Sequence, residues 1–312
     1  MNQRVRVNKV SQPADLPDRG DLQALARSLA RFAPHDGSFS VADNAIQIAS
    51  STRTQGEKTY TLSQPSICIV AQGAKRVTLA DDSFEYNASK MVVYAAEMPI
   101  RVEITEASKA NPYYCLVIPI SPERLNNLVL KIFPDGVPRT EQTRSVYVGD
   151  VSAQIVEAAT RMMRIIEQQD DTDLLVPHMI DEILIRLLRS SVGPAVAQLG
   201  ISDSYIERIS KAINQIKQHY TASLKVEELA RASSMSPSSF HAHFKAVTGV
   251  TPLKFQKILR LQKARELLHS GMMDVTTVAF TVGYASASQF SREYTREFGV
   301  SPSRETAGSV TA

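Results

Sequence analysis

The chain has 312 residues, 43% hydrophobic and 21% charged, an ordinary globular composition with room for two domains. No stretch approaches the ~20 uninterrupted apolar residues of a membrane span, and the N-terminal segment lacks the apolar centre of a secretion signal, so a cytoplasmic protein without a membrane partner is expected. The net charge of +3 divides unevenly: residues 201–312 hold 14 Lys+Arg against 9 Asp+Glu, a net of +5, which leaves 21 against 23, a net of −2, in residues 1–200.

In chain order, the first readable elements are strands. Residues 67–70, 76–79, 91–94, 100–104 and 113–118 are short β-branched or aromatic runs separated by turn residues, which favours a barrel or sandwich. Residues 151–169 and 174–191 follow with strong apolar stripes and read as two helices. The stretch SVGPAVAQLGISDS reads as an interdomain linker, dividing the chain into domains 1–200 and 201–312.

The last third repeats itself. SPSSFHAHFKAVTGVTP (236–252) aligns with SASQFSREYTREFGVSP (286–302) at an offset of 50 residues. Ser236 and Ser286 are N-cap residues, Pro237 suits a first helical position, and Gly249 and Gly299 are placed to close each helix in a left-handed conformation. Phe240, Phe244 and Val247 in one copy, and Phe290, Tyr294 and Phe298 in the other, recur at helical spacing. Upstream of each copy lies a shorter helix, with Val226, Leu229 and Ala230 or Val275, Val278 and Ala279 on its apolar face. A short helix, a turn and a capped second helix make a helix-turn-helix pattern, at about 224–247 and 275–298; two helical hairpins that merely pack are the alternative. Between the copies, residues 252–270 form a helix of roughly 27 Å, a spacer suited to holding two recognition helices about one duplex turn (~34 Å) apart.

The region from about residue 205 to 305 closely resembles the DNA-binding domain of the AraC/XylS family of transcription regulators. LKVEELARASSMSPSSFHAHFKAVTGVTPLKF, RLQKARELL and VTTVAFTVGYASASQFSREYTREFGVSP match in order, in spacing and in both closing G-V-[TS]-P turns. The resemblance implies seven helices, two helix-turn-helix units joined by the long helix, and both recognition helices in successive major grooves. Ala242 stands where many relatives carry a longer side chain, which implies that the first recognition helix reads less sequence than the second. Residues 61–120 resemble, more loosely, the N-terminal cupin-type domain of a subgroup of these regulators, in which the helices that follow support the barrel and commonly form a dimer contact. The expected fold class is therefore α+β: a cupin-like β-barrel with supporting helices, then an all-α domain of two helix-turn-helix units.

In the second recognition helix the outward set is Ala287, Ser288, Gln289, Ser291, Arg292 and Arg296. Arg292 is the strongest candidate for reading a base, because a guanidinium bonds bidentately to guanine O6 and N7; an exposed helix arginine without that role is the bland alternative. In the first helix the outward set is Ser238, His241, Ala242 and Lys245. By family position the first three face bases and Lys245 meets phosphate, while His243 is a surface residue.

No nucleophile–base pair, phosphate loop or zinc motif appears, and residues 36–177 contain no histidine for a cupin metal centre. No catalytic residue, metal or cofactor is therefore expected. The two cysteines, Cys68 and Cys115, are too few for a disulfide scaffold; each falls in an expected strand, as a buried apolar residue or as a thiol sensor. The expected function is a DNA-binding regulator, not an enzyme, whose barrel binds a small-molecule effector. The alternatives are a cupin enzyme with a DNA-binding tail and a barrel that only dimerises. Double-stranded DNA, an effector and a second copy of the chain are the expected partners, with RNA polymerase a further candidate.

Overall fold

The computed structural model describes residues 15–56, 60–79, 82–138, 146–201 and 204–308. Its N-terminal part begins with α1 (Arg19–Ala30), β1 (Gly37–Val41), β2 (Ile46–Ser51), β3 (Tyr60–Ser63), β4 (Ser66–Gln72), β5 (Ala74–Leu79) and β6 (Asp82–Asn87). It continues through β7 (Lys90–Tyr94), β8 (Met98–Glu106), β9 (Tyr113–Pro119), α2 (Pro122–Ile132), β10 (Val146–Asp150), α3 (Ala153–Gln168), α4 (Thr172–Leu188) and α5 (Gly193–Ala197). Among the described residues the C-terminal part holds seven helices: α6 (Tyr205–Gln218), α7 (Val226–Ala232), α8 (Pro237–Thr248), α9 (Pro252–His269), α10 (Val275–Thr281), α11 (Ala287–Phe298) and α12 (Pro302–Gly308). The fold is α+β, as expected.

The strands form two antiparallel sheets, one ordered β1-β2-β9-β4-β7-β10 and the other β3-β8-β5-β6. The five expected strands are β4, β5, β7, β8 and β9. Central β4 is buried on both faces and so lacks a polar alternation. Its outer face meets α1, whose Leu25 and Leu29 are fully buried. Asp18 and Asp21 start α1 through a reciprocal capping box. The helices α3 and α4 pack together with Arg161 and Arg186 both on Glu182.

The expected linker differs from the structure. Its residues 193–197 are α5, with Ala195, Val196 and Ala197 buried against α2 and α4. Small apolar side chains made this stretch look like a spacer, but they allow close helix packing. Residues 202 and 203 of that stretch lie outside the described residues.

The two parts touch through the four-stranded sheet. Helix α9 packs on β3 and β8, and the Gln262 amide donates to the Tyr60 carbonyl. Lys217 of α6 reaches the nearly buried Glu97 at 2.7 Å, and Arg101 lies 4.4 Å over the Tyr60 ring. Glu297, at the end of α11, sits by Arg101 and Lys254, and its burial pushes the carboxyl above its ordinary range.

Candidate nucleic-acid interface

The two copies of the repeat fold alike because the same local signals act in each. The Ser236 hydroxyl accepts from the Ser239 N–H at 3.3 Å, and the Ser286 hydroxyl accepts from the Gln289 N–H at 3.4 Å. Gly249 and Gly299 close α8 and α11 at φ of 73° and 76°, donating to Lys245 and Thr295 carbonyls. Phe240, Phe244 and Val247 are fully buried under α8, as are Phe290 and Tyr294 under α11. Ala230 and Ala279, also fully buried, let the short helix of each unit approach the longer one.

With aromatic stripes anchored inward, the opposite faces are fixed. Ser238, His241, Ala242 and Lys245 are exposed on α8, and Ser288, Gln289, Arg292 and Arg296 are exposed on α11. Two expected outward positions differ: Ala287 and Ser291 are half-buried, because both lie about 60–100° from Phe290 on a 3.6-residue helix, at the flank of the core stripe. Thr295, Ala246 and Ser239 flank the outward faces, and the first two are exposed; a helical wheel would have included them. His243 turns away from the outward face, half-buried and stacked on Tyr205 of α6 at 5.2 Å.

The charges sort by use. Among the described residues, Lys245, Arg292 and Arg296 are in no ion pair, whereas most cations of α9 are paired with other groups of the chain. Lys257 bridges to Glu293 at 2.9 Å, Lys263 to Glu266 at 2.7 Å, and Arg265 to Glu305 at 2.5 Å. Arg260 donates to the carbonyls of Tyr220, Thr221 and Ala222, joined by Gln256 on two of them. Burial holds the Arg260 guanidinium below its ordinary value, yet three carbonyls satisfy it. These structural roles were missed because Arg260 and Gln256 look like solvent residues on a charged helix.

The loop that Arg260 grips, between α6 and α7, also meets the second unit. Gly283, at φ of 91°, brings the second turn against Thr221; a Cβ there would stand 2.4 Å from the Thr221 carbonyl oxygen. The short helices end alike, with Met235 N–H on the Ala230 carbonyl and Tyr284 N–H on the Ala279 carbonyl. The first turn reaches a left-handed conformation with Ser234, at φ of 53°, where the second uses Gly283. Helix α9 serves both units: Phe255, Ile258 and Leu259 belong to the first core, and Leu261, Ala264 and Leu268 to the second.

Among the described residues no group of three or more His, Cys, Asp or Glu side chains is arranged to hold a metal ion. No described helix is long and apolar enough to cross a membrane.

Two family models match the chain: one described as the AraC-type transcriptional regulator N-terminus, over residues 45–195, and one described as a helix-turn-helix domain, over residues 229–307. The HTH-type transcriptional activator RhaS of Escherichia coli O139:H28 is 28% identical over 152 residues, 49% of this chain and 54% of its own length. The virulence regulon transcriptional activator VirF of Yersinia enterocolitica is 27% identical over 165 residues, 52% of this chain and 59% of its own. The chain thus spans about half the length of the curated relatives it matches. A crystal structure of ToxT from Vibrio cholerae with bound unsaturated fatty acid superposes with a TM-score of 0.54 at 12% identity, covering 84% of this chain and 94% of that one. At that identity the likeness is one of fold.

Proposed function

The chain belongs to the AraC family of transcription regulators, and from that premise we propose that it binds double-stranded DNA sequence-specifically through residues 201–312. One observation carries the reading: two identically capped helices, α8 and α11, each anchor an aromatic stripe inward and turn polar or cationic side chains to solvent. Arg292, Ser288, Gln289, Ser238, His241 and Ala242 are the proposed base-facing positions, with Ser291 at the flank; Lys245 and Arg296 are proposed for phosphate. The 18-residue α9, roughly 27 Å long, suits two helices entering successive major grooves.

Residues 1–200 are the proposed sensing and dimerisation part, with a small-molecule effector in the barrel and α3 and α4 at the dimer contact. The fatty acid in ToxT supports an effector of some kind, and the exposed Leu174 and Leu175 at the start of α4 support the contact. The relatives are regulators by name, which supports a non-enzymatic role; RNA polymerase is a further proposed partner. The test is a salt titration of DNA binding by the full chain. The logarithm of affinity should fall linearly with the logarithm of salt concentration. Affinity that holds steady from low to moderate salt would remove the electrostatic basis of the reading.

A further inference from the structure

The two cysteines, far apart in sequence, meet between the sheets. In the β4–β9 ladder Cys68 is opposite Val117 and Val70 is opposite Cys115, so the thiols occupy diagonal positions on one face. That face is the inner one: Tyr94, opposite Ser66 on the same side, has its hydroxyl 3.3 Å from the hydroxyl of Tyr86, which belongs to the other sheet. Tyr113, one pleat from Cys115, also points inward, with a buried hydroxyl that finds no conventional hydrogen-bond partner among the described residues. Nothing in the DNA-binding reading uses this cluster of two thiols and three phenols.

We propose that Cys68 and Cys115 are an oxidisable dithiol, closed to an intramolecular disulfide by hydrogen peroxide or another small hydroperoxide. The pair is asymmetric. The hydrogen bond from Cys68 holds the Cys115 thiol below its ordinary value despite burial, and Lys75 adds a favourable charge. That same bond, and then burial, pushes the Cys68 thiol well up. Cys115 is therefore the nucleophile and Cys68 the resolving thiol, the division of labour that a shared proton produces. The Cys115 thiolate attacks a peroxide oxygen, forming an S–O bond as the O–O bond breaks and hydroxide leaves. Cys68 sulfur then attacks the sulfenic sulfur, forming the S–S bond as the S–O bond breaks and a second hydroxide leaves. The two thiol protons neutralise both hydroxides, so two thiols and one hydrogen peroxide become one disulfide and two waters.

Burial selects the oxidant. Cys68 is 4% exposed and Cys115 1%, so an oxidant that reaches them must be small and neutral, which excludes a bulky one such as glutathione disulfide. Diagonal ladder positions stand about 7–8 Å apart at Cα, slightly beyond the usual reach of a disulfide. Closing the bond therefore slips β4 and β9 along one another, and the register shift between Val70 and Gln72 supplies a place for the ladder to give. A bond formed under such strain is readily reduced, as a reversible switch requires.

The test uses the full chain and reads the thiols directly, so it is independent of DNA binding. Native protein is exposed to hydrogen peroxide, quenched, unfolded, labelled with a maleimide and weighed by mass spectrometry. The expected result is loss of both maleimide-reactive thiols in a monomeric chain, restored by dithiothreitol. In Cys68→Ser, Cys115 should stall as a sulfenic acid that dimedone traps; in Cys115→Ser, Cys68 should stay labelled at the same dose. Two labelled thiols in treated wild type, a covalent dimer in place of a closed monomer, or equal oxidation of Cys115→Ser would each overturn the proposal. The wild-type arm decides the matter even where a variant fails to fold.

Discussion

The two helix-turn-helix units share one plan and solve the same packing problem with opposite chemistry. In the first, Phe244 meets Phe255 edge to face at 5.7 Å. Fifty residues on, the equivalent pair is Tyr294 and Glu305, joined by a hydrogen bond from the phenol to the carboxylate, with Arg265 and His269 on the same group. His243, which stacks on Tyr205, has as its counterpart Glu293, which takes Lys257 and the Tyr284 hydroxyl. The first unit's core is continuous with that of the barrel, whereas the second unit's is a separate cluster. Apolar contacts suit a unit packed against another domain, because burial rewards them without directional demands. The small second core, with fewer neighbours, draws on charge-assisted hydrogen bonds instead.

The largest expected difference comes from Phe255→Ala. Emptying a fully buried aromatic site costs about 3–5 kcal/mol, and because Phe255 belongs to the core shared with the barrel, unfolding of the whole chain should shift. Chemical denaturation followed by hydrogen exchange should show lost protection in α8 and α9 and, more weakly, at the barrel. A loss confined to α8, with the barrel untouched, breaks the idea of a continuous core.

Next comes the turn. Gly283→Ala places a Cβ 2.4 Å from the Thr221 carbonyl in a conformation that disfavours side chains. The cost is expected to be at least ~2 kcal/mol. Ser234→Gly, at the equivalent point of the first unit, should change stability by less than ~1 kcal/mol. Thermal unfolding of the two variants checks the contrast; equal, small shifts would mean that the loop at Thr221 moves aside easily.

These contrasts mark what could be read from the sequence. The caps Ser236 and Ser286, the closing glycines and the inward aromatic stripes were legible because each acts within one helical turn. So were the five central strands, whose β-branched runs carry their own signal. Strands such as GSFSV and DSFEYN were not, since polar residues on partly exposed strands resemble loops. Ala287 and Ser291 were misplaced because a buried stripe has width as well as direction. Glu305 with Tyr294, Arg260 with the Tyr220–Ala222 carbonyls, and Cys68 with Cys115 depend on contacts across many residues. No local pattern announces them.

The DNA-facing comparison predicts a smaller and more selective effect. Arg292→Ala should weaken binding to a preferred site by ~1–3 kcal/mol and relax preference at one or two base pairs. Lys245→Ala should lower affinity about equally on all duplexes and flatten the salt slope by roughly one unit. Both side chains are exposed and outside ion pairs among the described residues, so folding should change by no more than ~0.5 kcal/mol. Equal losses on preferred and scrambled duplexes for Arg292→Ala would reassign it to phosphate.

The smallest effect tests the polar core of the second unit. Burial alone would raise the Glu305 carboxyl, but hydrogen bonds from Tyr294 and Arg265, with His269 behind them, hold it below the usual carboxylate range. The Tyr294 phenol is pushed up by burial and by that carboxylate, so it remains a donor at every pH of interest. A carboxyl whose folded value is depressed contributes stability that is complete above its unfolded value, about 4.3, and fades as pH falls through the folded one. Tyr294→Phe makes this position match Phe244 of the first unit and removes one hydrogen bond, a loss of ~1 kcal/mol at neutral pH. Because a protonated carboxyl accepts more weakly than a carboxylate, the gap between wild type and Tyr294→Phe should narrow below about pH 4. Phe244→Tyr gives the reciprocal measurement, since the first unit has Phe255 where the second has Glu305, and its cost should not vary with acid. Denaturant midpoints of the three proteins from neutral pH into acid decide it. A constant gap for Tyr294→Phe across that range would mean that the hydroxyl, and not the carboxylate charge it meets, accounts for the difference between the two cores.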